Sequence, residues 1–265
     1  TVAALSEIAV LGFFDWGHHM FQSGMSPYVA VFFSLLTILI SVPSGVLCFN
    51  WLGTLWGGRL RLNSAMLFSI GFVSLFVSGG ITGVFLAQTV TDIYLHDTYF
   101  VVGHFHLIMG VAAMFAIAAG TYFWFPKMFG RYLNETLGKL HFWMTVVGAY
   151  LIFIPMHLMG LWGHPRRYAG FDYAFFSEPL IRSSHDLITW AAFLVFVAQL
   201  IFIWNFFWSI FKGRPAPENP WEATSLEWTT ASPPPFDNFA GKHPVVNHGP
   251  YEFGLPGAAK DFVVQ

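Results

Sequence analysis

The sequence predicts an all-α fold, a polytopic transmembrane helical bundle, and three observations carry that prediction. Hydrophobic residues make up 55% of the chain and charged residues only 10%, against roughly 25% charged in a soluble domain. Five apolar segments each reach the roughly 20 residues that a helix needs to cross a bilayer. Outside a closed barrel, a helix is the only structure that satisfies its own backbone in lipid.

The elements follow in order. A first apolar run, from Thr1 to Phe14, falls short of a span, so the chain is expected to start partway through a helix, either as a fragment or with the rest of the fold on another polypeptide. Full spans are expected over Tyr28–Leu52, Ala65–Ala87, Thr98–Phe125, Leu140–Trp162 and Leu187–Phe211. That makes about six helices, the first incomplete. Pro43, Pro126 and Pro155 fall within or at the ends of spans, where neighbouring helices satisfy the freed carbonyls. Residues 1–211 form the membrane part. Residues 212–265, with prolines at 233 to 235, are expected to form an extramembrane tail with little regular structure, strapped across one face.

Basic residues orient the bundle. Arg59, Arg61, Lys127, Arg131, Lys139, Lys212 and Arg214 fall on one side, and only Arg166, Arg167 and Arg182 on the other. The first side is expected to face the cytoplasm, or the matrix of a mitochondrion, and to carry the tail. His18, His19, His96, Asp97, Arg166 and Arg167 then gather near the outer face. The net charge of −2 gives no reason to expect nucleic acid. The single cysteine, Cys48, excludes a disulfide framework, an iron–sulfur cluster and a multi-thiolate copper centre within this chain.

Chemistry concentrates in Ile93–Met109, IYLHDTYFVVGHFHLIM. His104 and His106 lie inside an apolar span, where an imidazole is costly unless something binds it. At about 100° per residue, positions two apart point to nearly opposite sides. One helix would thus offer one ring to each of two flanking partners, and metal or haem ligation is the expectation over two hydrogen-bonded core histidines. His18 and His19, in WGHHMF, sit where a short helix ends and both rings can reach one metal; imidazole suits copper, zinc or iron. Asp15 precedes them by three and four residues, on their face if the helix persists through His19. Arg166 and Arg167, in HPRRY, offer planar forks for carboxylates or phosphates. His141, His157, His185, His243 and His248 have no metal partner in the sequence and are read as structural or surface residues.

Taken together, WGHHMF, VPSG, HDTYFVVGHFHLIMG, WFP, PRRY, LEW and PPP resemble the haem-copper respiratory oxidases, in the C-terminal half of the catalytic subunit, cytochrome c oxidase subunit I. The order and spacing match from about Thr1 to Phe236. The resemblance implies one half of a twelve-helix fold and an oxidoreductase that reduces dioxygen to water with proton translocation. By position, it implies that His18 and His19 are copper ligands, His104 the ligand of the high-spin haem iron, His106 an axial ligand of the low-spin haem, His96 and Asp97 magnesium ligands, and Arg166 and Arg167 the holders of haem carboxylates. The cofactors implied are two haems, copper and magnesium. The partners implied are the N-terminal half of subunit I, subunit II with its dinuclear copper centre, subunit III, and cytochrome c or a quinol as electron donor. A bacterial plasma membrane is expected in preference to a mitochondrial inner membrane.

Two positions depart from the pattern. Many of these oxidases carry a proton-relaying lysine where this chain has Leu47, with Ser44 keeping a hydroxyl nearby, and Asp15 adds a carboxylate one turn from the copper ligands. Both point toward nitric oxide as an alternative substrate in the same superfamily. A non-catalytic haem-bearing subunit or an inactive fragment is the alternative of a different class.

Overall fold

The computed structural model describes residues 1–170, 174–223, 225–242, 244–246 and 262–264. His243 and His248 lie outside the described residues. Helices dominate: α1 (Val2–Phe14), α2 (Pro27–Leu39), α3 (Ser41–Leu55), α4 (Ser64–Leu86), α5 (Thr89–Leu95), α6 (Tyr99–Phe105), α7 (Ala113–Phe129), α8 (Glu135–Leu161) and α9 (Pro179–Lys212). A two-stranded antiparallel ladder pairs Pro244–Val246 with Phe262–Val264. Five stretches are long and apolar enough to cross a membrane: Pro27–Leu55, Ser64–Leu86, Tyr99–Phe129, Glu135–Leu161 and Pro179–Lys212. This is an integral membrane protein, with α1 as the expected shorter first helix.

Local chemistry explains where the helices start and stop. Asn63 and Asn134 cap α4 and α8 by accepting hydrogen bonds from Met66 N and Leu137 N. Gly130, at φ +64°, closes α7 in the left-handed conformation. Two starts differ from expectation. α8 begins at Glu135 and α9 at Pro179, because caps and backbone bonding extend a helix through polar residues that hydropathy assigns to water.

Two further differences lie beside the histidines. The expected continuous helix from Thr98 is a composite, with a π-helical segment over His106–Ala112 between α6 and α7. The helix of Asp15 does not persist through His19 either: α1 ends at Phe14, and Trp16–Met20 form a tighter 3₁₀ turn.

The core packs α4, α7 and α8 around aromatic rings. Phe68 meets Phe115, Tyr122 and Phe142 with ring centroids 5.1, 5.6 and 5.3 Å away, spacings at which edge-on and offset stacking add to burial. α8 is the most buried span and α9 the least. At one end the chain after α9 folds back across α7. Arg131 Nη1 donates to Gly213 O at 2.7 Å, Lys127 Nζ to Thr230 O at 2.8 Å, and Trp221 Nε1 to Phe123 O at 3.0 Å. Lys127, Arg131 and Arg214 thus share one end of the bundle with Arg61, which pairs with Glu222 of the same segment at 2.8 Å.

Candidate functional site

The other end holds the histidines. His18 and His19 sit on the 3₁₀ turn after α1, with Nε2 atoms 3.0 Å apart. Thr37 on α2 donates its hydroxyl to Phe33 O at 2.7 Å, so its oxygen is left to accept from His18 Nδ1 at 3.2 Å. That fixes the His18 proton on Nδ1 and leaves its Nε2 as a lone pair aimed at the neighbouring ring. Two cis nitrogen ligands at about 2.0–2.1 Å from one metal lie roughly 2.9–3.3 Å apart, so the pair fits a shared cation. Asp15 is buried beside it, with Oδ2 3.9 Å from His18 Nδ1.

His104 is cradled by α4. Its Nδ1 donates to Gly79 O at 2.9 Å and lies 3.1 Å from Thr82 Oγ1, while Thr82 donates to the same carbonyl. A Cβ at Gly83 would come within 2.7 Å of the imidazole, so only glycine lets the ring lie against this helix. Nδ1 is again the protonated nitrogen, and Nε2 is the free ligand atom.

His106 faces another way. It donates from Nδ1 to Val102 O at 2.9 Å and stacks on Phe153 of α8, with centroids 5.3 Å apart and planes 14° from parallel. The two rings therefore contact different helices, as the spacing requires. His104 is also within electrostatic range of both His18 and His19, and His19 of Arg166 and His96. His18, His19, His96, Asp97, Arg166 and His104 are thus linked at one end of the bundle, and His106 packs against α8.

A second cluster forms where α5 meets the loop after α8. Arg166 donates from Nε to Asp97 Oδ1 at 2.7 Å, its Nη2 lies 2.7 Å from the same oxygen, and Arg167 Nη1 lies at 3.7 Å. Burial opposes ionisation of Asp97, but Arg166, His96 and Arg167 outweigh it and hold the carboxyl below its ordinary range. The second oxygen, Oδ2, is 4.0 Å from His96 Nε2. Opposite ligands at about 2.1 Å from a small cation would sit roughly that far apart. His96 Nδ1 is 3.2 Å from Asp92 Oδ2, an ion-pair distance at which that buried oxygen still makes no hydrogen bond. Burial raises the Asp92 carboxyl and the neighbouring His96 opposes the rise.

Several residues here escaped sequence reasoning. Asp92 has a local signal, since it lies one helical turn before His96. Thr37 and Thr82 have none, because their partners come from other segments. His164, counted only as part of HPRRY, is fully buried, and its Nε2 meets His185 Nε2 at 2.8 Å. His141 bonds Tyr122 and Gln199 through its two nitrogens, the pattern of a structural residue, whereas His157 donates from Nδ1 to Phe153 O and leaves a buried Nε2 without a partner.

Fold and site together define a polytopic membrane protein with a histidine-rich end. The chain belongs to the family described as Cytochrome C and Quinol oxidase polypeptide I, whose profile matches residues 1–183. It is 47% identical over 265 residues to the alternative cytochrome c oxidase subunit 1 of Bradyrhizobium diazoefficiens, covering all of this chain and 45% of that one. It is 50% identical over 254 residues to cytochrome c oxidase subunit 1 of a Synechocystis species, covering 95% of this chain and 45% of that one. The chain thus spans less than half the length of these curated relatives. Among solved structures, a haem-copper terminal oxidase dimer determined by cryo-EM superposes with a TM-score of 0.63 at 20% identity, over 75% of this chain and 39% of that one. That likeness bears on the fold alone.

Proposed function

We propose that this chain supplies the C-terminal half of the catalytic subunit of a haem-copper terminal oxidase, which reduces dioxygen to water and translocates protons. One observation carries the reading: His18 and His19 converge at 3.0 Å with one tautomer fixed by Thr37, in electrostatic range of His104, whose Nε2 is free. In this reading His18 and His19 hold copper, His104 and His106 hold the irons of the high-spin and low-spin haems, His96 and Asp97 hold magnesium, and Arg166 and Arg167 hold haem carboxylates. Bound haem and copper supply the redox chemistry.

The chain's own residues prepare those places. Thr37 and the carbonyls of Gly79 and Val102 keep protons on the Nδ1 atoms, so each Nε2 is presented as a neutral ligand. Phe105 and Phe153 flank the His106 ring, with centroids 4.3 and 5.3 Å away, and hold its plane. Leu47 is 3% exposed in α3 and has no exchangeable proton, while Ser44 donates its hydroxyl to Ile40 O at 2.8 Å. Protons therefore reach the site by a route other than this part of α3. The N-terminal half of the subunit, subunit II with its dinuclear copper, subunit III and a cytochrome c or quinol donor complete the enzyme. It lies in a bacterial plasma membrane, with the tail end in the cytoplasm.

Asp15 beside His18 is the observation that favours nitric oxide as a second substrate reading; the names of the relatives support oxygen. The test is metal and haem analysis of the assembled enzyme with oxygen-uptake and nitric-oxide turnover assays. The expected result is two haems per chain, oxygen uptake with negligible nitric oxide turnover, and loss of one copper with haems retained in the double variant His18→Ala/His19→Ala. Unchanged copper in that variant would sink the assignment, and dominant nitric oxide turnover would transfer it to the second reading.

A further inference from the structure

The loop that carries Arg166 and Arg167 is held in an unfavourable shape. Arg167 and the facing Asp97 both occupy the left-handed backbone region, at φ +61° and +55°, which costs free energy for a residue with a Cβ and persists only where the surroundings impose it. Backbone bonds impose part of it: Arg166 N donates to Asp97 O at 2.8 Å, Tyr99 N to His164 O at 2.9 Å and His164 N to Met159 O at 3.0 Å. These tie the loop to α6 and α8. None of them reaches α9.

Among the described residues, the His164 side chain makes a hydrogen-bonded connection to α9. His164, 0% exposed, stacks on Tyr99 with centroids 4.2 Å apart. Its Nδ1 donates to Pro165 O at 2.8 Å, within the loop itself, and its Nε2 lies 2.8 Å from His185 Nε2 on α9. A neutral imidazole has one donor and one acceptor nitrogen. With Nδ1 donating, Nε2 must accept, so His185 donates from Nε2. The ring two residues before Arg166 is thereby pinned at both nitrogens, one to the loop backbone and one to the last helix.

We propose that the His164–His185 pair is a positioning lock for the arginine pair: it fixes where Arg166 and Arg167 stand relative to Asp97, and through them tunes the haem whose carboxylates they hold. The second half of this inference rests on the function proposed above; the first half does not.

The experiment uses the fully assembled enzyme and two readouts, the ratio of reduced to oxidised haem at a fixed applied potential and hydrogen–deuterium exchange over Gly163–Tyr168. His185→Phe fills the space but removes the donor, and is expected to shift the haem ratio several-fold and to speed exchange in the loop. His185→Gln restores an N–H at the Nε2 position and is expected to return both readouts to those of the unmodified enzyme. Arg166→Met sets the scale: it is expected to shift the haem ratio in the same direction and further, and Arg166→Met/His185→Phe no further still. The lock is overturned if His185→Phe leaves loop exchange unchanged, or if His185→Gln disturbs it as much as His185→Phe. If Arg166→Met leaves the haem ratio unchanged, the carboxylate assignment falls and loop exchange alone decides the lock. If Arg166→Met shifts the ratio and His185→Phe does not, or their effects add, the tuning role is overturned while the carboxylate assignment stands.

Discussion

The two ends of the bundle contain similar residue types and use them differently. At the tail end, polar side chains are saturated by protein. Asn205 accepts from Asn134 N and donates to Asn134 O, and Lys127 reaches the carbonyls of Thr230 and Ala231 while lying 5.0 Å over the Trp228 ring. Nearby, both nitrogens of His141 are occupied, by Tyr122 and Gln199. At the histidine-rich end, His18, His104 and His106 are each anchored through Nδ1; His18 Nε2 meets only the neighbouring His19 Nε2, and the Nε2 atoms of His104 and His106 are left for something else. Trp228 Nε1 is an exception, a buried donor without a partner at the saturated end. The lesson is that a histidine in a membrane bundle is read by how many of its nitrogens the protein consumes. A structural residue such as His141 has both consumed by the protein, whereas a candidate ligand keeps one for a partner; His157, whose buried Nε2 has no partner, shows that a free nitrogen does not by itself make a ligand.

Breaking a ligand tests the contrast most strongly. His104→Ala is expected to remove one haem and to lower turnover by more than about 100-fold, beyond the range seen when only an outer-shell partner is lost. His141→Ala should leave haem content intact; haem analysis of the two purified variants decides, and equal haem loss would erase the distinction. Next in size, Thr37→Val removes the acceptor that holds the His18 tautomer and is expected to weaken copper retention by about 10–100-fold. Thr37→Ser should keep it, as measured by competition with a copper chelator.

At the saturated end the consequences are for stability. Asn205→Leu strands the amide of Asn134 at a cost of about 1–3 kcal/mol, while the Asn134 carbonyl keeps its bond from Gly138 N at 2.9 Å, so thermal unfolding should occur at lower temperature with metal and haem content unchanged. The smallest contrast lies within α4. Gly83→Ala places a methyl group against the His104 ring and is expected to cost about 1–3 kcal/mol and alter the haem spectrum. Gly80 has nothing within 4 Å of an added Cβ, and Gly80→Ala should change stability by no more than about 1 kcal/mol and leave the spectrum alone. Identical spectra for the two variants would show that His104 does not depend on its seat.

Much of this was legible beforehand. Hydropathy located all five spans, because a membrane helix is specified by local composition over one bilayer thickness. The spacing of His104 and His106 placed them against different neighbours, because the helical rotation between adjacent residues is fixed. Less visible were the π-helical segment that begins at His106, the 3₁₀ turn that carries His18 and His19, and the polar helix starts at Glu135 and Pro179, since each follows from backbone bonding that side-chain hydropathy does not encode. Asp97 shows the limit on charges. The resemblance implies a metal ligand at this position, and the structure adds that one of its oxygens already belongs to Arg166.

By itself the sequence determined which side chains are chemically able to act and roughly at what depth they lie, since both follow from residue type and position along a regular helix. The tertiary structure alone decided which nitrogen of each histidine is tied down and by whom: Thr37 for His18, Gly79 for His104, and His185 for His164. These pairings join segments separated by 19, 25 and 21 residues. A hydrogen bond depends on distances of a few tenths of an ångström between such segments, and no local pattern of residues fixes a distance that packing of whole helices sets.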